Sequence, residues 1–348
     1  MQNLLESVVQ QGASDLHLSI GKPPILRIDG ALVPLSDKNT LNEKEVTELI
    51  TSAMTESQKA RLQNDLSIDF SFSLAGKARF RANVFYQLGV LSGAYRLIDS
   101  RIRTIDELGL PPIIHEFGKL KQGLVLFVGP TGHGKSTSMA ALIDEINHNR
   151  TEHIVTIEDP IEYVYQQDLC VVNQREVGHD VLSFESGLRS AFREDIDVIL
   201  LGEMRDLETI STAITAAETG HLIFSTLHTN DSWQTIDRII DVFPGNQQNQ
   251  IRSQLASVLE GIVSQRLISK TGGGRVPAVE VLLRNDAVEN LIREGQTHQI
   301  TNVLETSTEQ GMQSINRSLA ELVQKGEISI DDAESYASDR DIFHMLIK

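Results

Sequence analysis

Residues 123–137 read Gly123-Leu-Val-Leu-Phe-Val-Gly129-Pro-Thr-Gly-His-Gly134-Lys135-Ser136-Thr137, and the reading of this stretch decides the fold. A short apolar run breaks off into a glycine-rich loop, and a helix-forming sequence, Ser138-Met-Ala-Ala-Leu-Ile-Asp-Glu-Ile146, follows at once. Gly129 to Ser136 fits G-x-x-x-x-G-K-[ST], the phosphate-binding loop, in the strand–loop–helix context that the motif requires. Glycines let successive backbone N–H groups curl around an anion, and the helix that follows turns its positive end toward it. The loop therefore predicts a bound nucleoside triphosphate. Gly129, Pro130, Thr131, Gly132, His133, Gly134, Lys135, Ser136 and Thr137 are the expected ATP and Mg²⁺ ligands. Lys135 would reach the β- and γ-phosphates, and Ser136 the metal between them.

Downstream of the loop, apolar runs of four to six residues alternate with helical segments, the pattern of a parallel sheet buried on both faces. Each run ends in a chemically useful group. His153–Ile157 runs into Glu158-Asp159-Pro-Ile-Glu162, Asp197–Leu201 into Gly202-Glu203, and His221–Leu227 into His228-Thr-Asn. Ligands of open parallel sheets bind at the carboxyl ends of the strands, so these endings should converge. ATP hydrolysis needs a metal to neutralise the phosphates and a group that orients or deprotonates the attacking water. Glu203 is placed to hold or orient Mg²⁺, partly through water, and Glu162 to activate that water. Glu158 and Asp159 are alternatives for the same work, or else cap a helix or steady a loop. His228 and His221 are candidate sensors of the γ-phosphate, set against an ordinary structural role at a strand end.

Residues 1–103 carry no phosphate loop and read as a separate α+β domain. Helix is expected over Leu4–Val9 and Glu43–Leu62. Strands are expected over Ala13–Ser19, Ile25–Ile28, Ile68–Phe72, Ala78–Phe85 and Leu91–Ile98, with Asp29-Gly30 as a hairpin turn. Arg79 and Arg81 fall on one face of their strand, opposite Phe80, and Arg96 lies on the next strand. They are either solvent-facing charges or arginines supplied in trans to a γ-phosphate. The prolines and glycines of 104–118 mark a linker, leaving 119–348 as the nucleotide-binding domain.

Composition narrows the class. The chain of 348 residues is 40% hydrophobic and 23% charged, as folded proteins are. Its net charge of −17 argues against a protein that grips nucleic acid, and no nucleic-acid partner is expected. No run approaches ~18 apolar residues and the N-terminus lacks a basic region before an apolar one, so a cytoplasmic, unspanning protein is expected. A single cysteine, Cys170, rules out an intramolecular disulfide and a multi-cysteine metal site.

These motifs together carry a family resemblance. Gly129–Thr137, Thr156-Ile-Glu-Asp-Pro-Ile-Glu162, Asp197-Val-Ile-Leu-Leu-Gly-Glu-Met-Arg-Asp206 and Thr219-Gly-His-Leu-Ile-Phe-Ser-Thr-Leu-His-Thr-Asn230 resemble the bacterial type II/IV secretion ATPase family, on its type IV pilus retraction branch. Ala13-Ser-Asp-Leu-His-Leu18, Val172–Val177, Arg189–Asp195 and Thr235–Pro244 extend the likeness over nearly the whole chain. The resemblance implies a homohexameric, Mg²⁺-dependent ATPase motor with a PAS-like α+β N-terminal domain, a RecA-like P-loop core and a helical C-terminal region. ATP would bind between the domains, with Arg81 and Arg96, and less directly Arg79, as arginine fingers. It makes Glu162 the catalytic glutamate, Glu203 the Walker-B glutamate and His228 the His-box residue, with Asp159 and His221 as further motif positions. The implied partners are a PilC-like inner-membrane platform protein and a second retraction ATPase, at the inner-membrane base of the pilus. Extension and secretion ATPases of the family carry a tetracysteine zinc element and extra N-terminal domains, for which this chain has neither the cysteines nor the room. Two departures stand out: His133 where the family has serine, and Glu289 where Ala287–Glu294 would carry arginine. The tail from Gln310-Gly-Met-Gln-Ser314 to Asp341–Ile347 is similar to the accessory retraction ATPases.

Overall fold

Alternating sequence in the first hundred residues builds an antiparallel sheet, and unbroken apolar runs later in the chain build a parallel one. The structure, a computed structural model, describes residues 1–28, 30–35, 38–74, 78–98 and 101–348. Its residues fall into two compact units, one of Met1–Arg101 with Pro160–Val164, the other of Ile102–Asp159 with Tyr165–Lys348.

Among its described residues the first unit has six strands: β1 Asp15–Leu18, β2 Ile25–Ile28, β3 Ala31–Pro34, β4 Ser67–Leu74, β5 Ala78–Gln87 and β6 Val90–Ile98. They lie in the order β3-β2-β1-β6-β5-β4, every pairing antiparallel. Leu16, Leu26, Phe70, Phe80, Val84 and Tyr95 point to one face and pack with Leu5 and Val8 of the helix Gln2–Gln10 and Val46 and Ile50 of the helix Glu43–Thr51. Helix is interrupted within the expected span Glu43–Leu62: it stops at Thr51 and restarts over Glu56–Asp65. The restart is a capping box, Thr55 accepting the Gln58 N–H while the Gln58 side chain accepts the Thr55 N–H. Of the Asp29-Gly30 turn, Asp29 lies outside the described residues.

The second unit has seven strands: β7 Gly123–Val128, β8 His153–Glu158, β9 Val171–Glu176, β10 Val198–Leu201, β11 Leu222–Leu227, β12 Leu259–Ser269 and β13 Arg275–Leu283. Their order is β13-β12-β7-β11-β10-β8-β9, parallel throughout except for the β12–β13 hairpin. Every residue of β7, β10 and β11 is buried. Side chains such as Leu126 and Ile223 each contribute about 1.5–3 kcal/mol by leaving water, which fixes the rim from which the loops spring. The stretch 104–118 packs into this unit through the buried side chains of Ile105, Leu110, Ile114 and Phe117. Among the described residues no helix is long and apolar enough to cross a membrane.

Candidate active site

At the carboxyl end of β7 the chain turns through the glycine loop into the helix Lys135–Asn149. Gly134 precedes the helix at φ +87°, and Gly129 leaves the strand at φ +141°, backbone conformations that side chains disfavour. Space enforces the same choice: a Cβ on Gly129 would stand 2.4 Å from the Gln265 carbonyl oxygen, and one on Gly134 2.8 Å from the Gln265 Nε2. Lys135 is buried, its Nζ donating to the carbonyls of Gly129 (2.7 Å) and Pro130 (3.0 Å).

Neighbouring strands bring two more groups to this edge. Thr226 Oγ1 donates to the Gly202 carbonyl at 2.7 Å, and the Met204 N–H to the Thr226 carbonyl at 3.2 Å, knitting the ends of β10 and β11 together. Glu203 consequently lies 3.5 Å from His228 Nε2 and 2.8 Å from Arg205 Nε. At the end of β8, Glu158 accepts from Thr156 Oγ1 (2.7 Å) and Gln174 Nε2 (3.3 Å). The loop, Glu203, His228 and Glu158 thus all sit at the carboxyl rim of one parallel sheet. His221 does not. It precedes β11, so a six-residue strand of about 3.3 Å per residue separates it from the rim. There His221 Nδ1 meets the Ala216 carbonyl at 3.0 Å, and its ring lies against Phe192. This corrects its expected place as a phosphate sensor.

Strand β12 adds residues that sequence reading passed over. Buried Gln265 accepts a hydrogen bond from Ser138 Oγ (2.8 Å), and Arg266 donates to the Asn230 carbonyl (2.8 Å) and Oδ1 (3.0 Å). Leu267 N–H donates to His133 Nδ1 at 2.9 Å. Gly272-Gly-Gly274 signals a turn, but Leu259–Ile268 before it mixes Glu260, Ser264, Gln265 and Arg266 with its apolar residues, and nothing local signals that it crosses the phosphate loop. Below it, fully buried Glu280 on β13 accepts from the Ser232 N–H (2.9 Å) and hydroxyl (2.7 Å). Burial pushes this carboxyl up to about 7 against those bonds.

Glu162 belongs to the other unit. There the cross-strand register aligns Arg27 with Asp15, Asp15 with Arg96, and Arg96 with Arg81, all on the face opposite Phe80 and Tyr95. Buried Asp15 accepts from Arg96 Nε at 2.9 Å and lies 3.9 Å from Arg27 Nε. Burial alone would raise the Asp15 carboxyl, but bonds from Ser14 and Arg96 outweigh it and hold it below the usual carboxylate range. Arg81 Nη1 is 3.8 Å from Glu162, and the two line a cleft of about 410 Å³ with Asp15, Asn83, Arg96 and Tyr163. Arg79 bonds to Ser71 Oγ and, at 3.4 Å, to the Ile161 carbonyl.

Magnesium fits the donors that the second unit offers. The hydroxyl of Ser136 and the carboxylate of Glu203 are hard oxygen ligands of the kind Mg²⁺ takes in ones and twos beside phosphates. Among the described residues there is no cluster of three or more His, Cys, Asp or Glu side chains that would hold a metal unaided.

The sequence model of the type II/IV secretion system protein family matches residues 1–335. The chain is 47% identical over 334 residues to the type IV pilus retraction ATPase PilT of Pseudomonas aeruginosa, covering 96% of this chain and 97% of that one. It is 40% identical over 348 residues to the type IV pilus ATPase PilU of the same organism, covering 100% of this chain and 91% of the other. Its fold superposes on a crystal structure of the pilus retraction motor PilT with bound ADP at a TM-score of 0.92, with 47% identity and 98% of each chain covered. With a glycine loop, a glutamate and a histidine at one sheet edge, and with these matches, the chain belongs to the type II/IV secretion system protein family of α/β P-loop ATPases.

Proposed function

We propose that this chain is the subunit of a homohexameric, Mg²⁺-dependent motor whose ATP hydrolysis drives type IV pilus retraction, and with it pilin depolymerisation and twitching motility. The observation that carries the reading is the carboxyl rim, where the phosphate loop, Glu203 and His228 stand together in a chain so similar to a retraction ATPase. The chain is a P-loop ATPase. In our reading residues 1–103 form a PAS-like domain, 104–118 a linker, and 119–348 the RecA-like domain with its C-terminal helices.

The loop amides and Lys135 would hold the β- and γ-phosphates, with Thr131 and Thr137 flanking them. Ser136 and Glu203 would hold Mg²⁺, partly through water; bound there it neutralises phosphate charge as the bridging bond breaks. Glu162 takes a proton from water as its oxygen attacks the γ-phosphorus, and the electron pair of the broken P–O bond leaves with ADP. Glu158 and Asp159 are the alternatives for that proton acceptor. His228 hydrogen-bonds the γ-phosphate and, beside Glu203, registers its loss. Arg81 and Arg96, with Arg79 behind them, complete the positive charge around the phosphates in the hexamer. The motor works from the cytoplasm at the inner-membrane base of the pilus, on a PilC-like platform protein. An accessory, PilU-like place beside a second retraction ATPase is the alternative. What favours it is the alignment of all 348 residues, tail helices included, with PilU.

Phosphate release by assembled protein with Mg·ATP tests the reading. Lys135→Ala should lose essentially all turnover while the fold persists. Glu162→Gln should lower kcat on the order of 10²- to 10⁴-fold, the usual contribution of a positioned base, with nucleotide binding retained. Wild-type turnover in Lys135→Ala would overturn the assignment.

A further inference from the structure

Strand β7 ends at Val128, opposite Ser264 of β12, but β12 runs on to Ser269. Beyond Ser264 its edge on that side has lost its strand partner, and its backbone groups must be satisfied by something else. Gln265 and Leu267, two residues apart, direct their backbone groups to the same side. The Gln265 carbonyl lies against Gly129, and the Leu267 N–H donates to His133 Nδ1 at 2.9 Å. A residue of the phosphate loop thus takes the place of the strand that ended. A second tie runs from Ser138 Oγ to Gln265 Oε1, both side chains buried.

We propose that the His133 imidazole is a positioning group for the ATPase reaction, a latch that holds the phosphate loop against β12 in the form that receives the triphosphate. This rests on the ATPase reading above. The latch needs a lone pair on Nδ1, hence a neutral ring; a protonated ring turns an N–H toward the Leu267 N–H and the bond is lost. The charged groups facing the ring are all cations: Lys135 from the helix that follows the loop, Arg266 from β12 and Arg275 from β13. Burial first, and then these charges, hold the imidazole below its ordinary value, so the latch stays closed at neutral pH and opens only as pH falls below about 6.5. A loop fixed beforehand binds its anion without the cost of ordering it, so the latch should act on affinity more than on the chemical step. Asparagine carries its Oδ1 as many bonds from Cα as histidine carries Nδ1, and does not titrate. Alanine carries no acceptor.

The test compares wild type, His133→Asn and His133→Ala for steady-state hydrolysis of Mg·ATP and for equilibrium binding of Mg·ADP, between pH 5.5 and 8. His133→Ala should raise KM and Kd about 5- to 10-fold at all pH values, the weight of roughly one hydrogen bond, with kcat nearly unchanged. His133→Asn should match wild type at pH 8 and bind more tightly than wild type once the pH is low enough to protonate the wild-type ring. The ratio of these two proteins removes the titration of the nucleotide itself. Equal affinity for Mg·ADP in the Asn and Ala variants at pH 8 would falsify the latch, as would wild-type affinity in His133→Ala. If His133→Ala fails to assemble, His133→Leu, which fills the space but offers no acceptor, takes its place in the comparison with His133→Asn. Loss of the latch with Lys135-dependent turnover intact leaves the ATPase reading standing; a wild-type protein that neither binds nor hydrolyses Mg·ATP removes both.

Discussion

In the antiparallel sheet of the first unit the charged groups occupy a face, whereas in the parallel sheet of the second they stand where strands end. The face is made by register. Arg27, Asp15, Arg96 and Arg81 come from four strands and meet because pairing aligns them, as side chains two residues apart point the same way. The rim is made by topology: parallel strands with crossover connections all finish on one side, so loops distant in sequence converge there. A face works through side chains alone. A rim adds backbone amides and helix ends, as an anion site demands.

Each unit also buries a carboxylate, and their surroundings push them in opposite directions. Asp15 is held low by hydrogen bonds from Ser14 and Arg96, while Glu280 is pushed up to about 7 by burial. The larger effect should come from Glu280. Its folded pKa lies above the unfolded value near 4.5, so what it contributes is fully present below that value and is lost as pH rises through about 7. Glu280→Gln keeps an acceptor for Ser232 and removes the charge. It should match wild type near pH 4 and exceed it at pH 8 by on the order of 3 kcal/mol. Calorimetric melting across that range checks this; a gap that stays constant with pH would mean that the carboxylate is already stabilised as the ion by Arg266.

Asp15→Asn should show a smaller effect with the reverse pH dependence. Because the folded pKa is depressed, the stabilisation is present above the unfolded value near 3.8 and is lost as pH falls through the lower, folded one. Replacing the charge leaves Arg96 and Arg27 without it, at a cost on the order of 1–2 kcal/mol at pH 7, moderated because Arg96 is largely exposed. Hydrogen exchange of β1 and β6 should quicken in the variant at pH 7, and wild type should approach it as pH falls below the usual carboxylate range. Unchanged exchange would mean that the row of arginines is held by the backbone register alone.

The same contrast explains what could be read without coordinates. The rim was legible because its groups follow apolar runs directly, as Glu203 follows Val198–Leu201, and because a phosphate loop has a fixed spacing. Five strands of the first unit were legible from their sequence pattern, but β3, exposed along its whole length, was not, and neither were the strands' partners, since register is a tertiary choice. Hence the pairing of Arg96 with buried Asp15 could not be foreseen. His221 was misplaced because a strand has two ends, and apolar composition does not say which end faces the ligand. The bond between His133 and β12 was hidden because 134 residues separate its partners. Glu289, in place of arginine, also becomes intelligible only in three dimensions: it accepts from Arg284 at 2.7 Å and Arg293 at 2.5 Å, so the reversed charge is locally balanced.

The smallest prediction concerns a joint of the first sheet. Gln87 pairs with Val90, so β5 and β6 are joined by the two-residue turn Leu88-Gly89. Both turn residues have positive φ, +50° and +81°, the requirement of the tight hairpin turn whose twist matches that of the strands. Glycine adopts this conformation freely, while leucine bears a penalty of roughly 1–2 kcal/mol and packs against nothing, being fully exposed. Leu88→Asn would create the Asn-Gly pair that such turns favour, and would remove an exposed apolar side chain. It should stabilise the first unit by about 0.5–1 kcal/mol and slow hydrogen exchange along β5 and β6, with exchange in the parallel sheet unchanged. If exchange slowed equally in both sheets, the two units would open as one, and the face and the rim would share a single folding unit despite their separate cores.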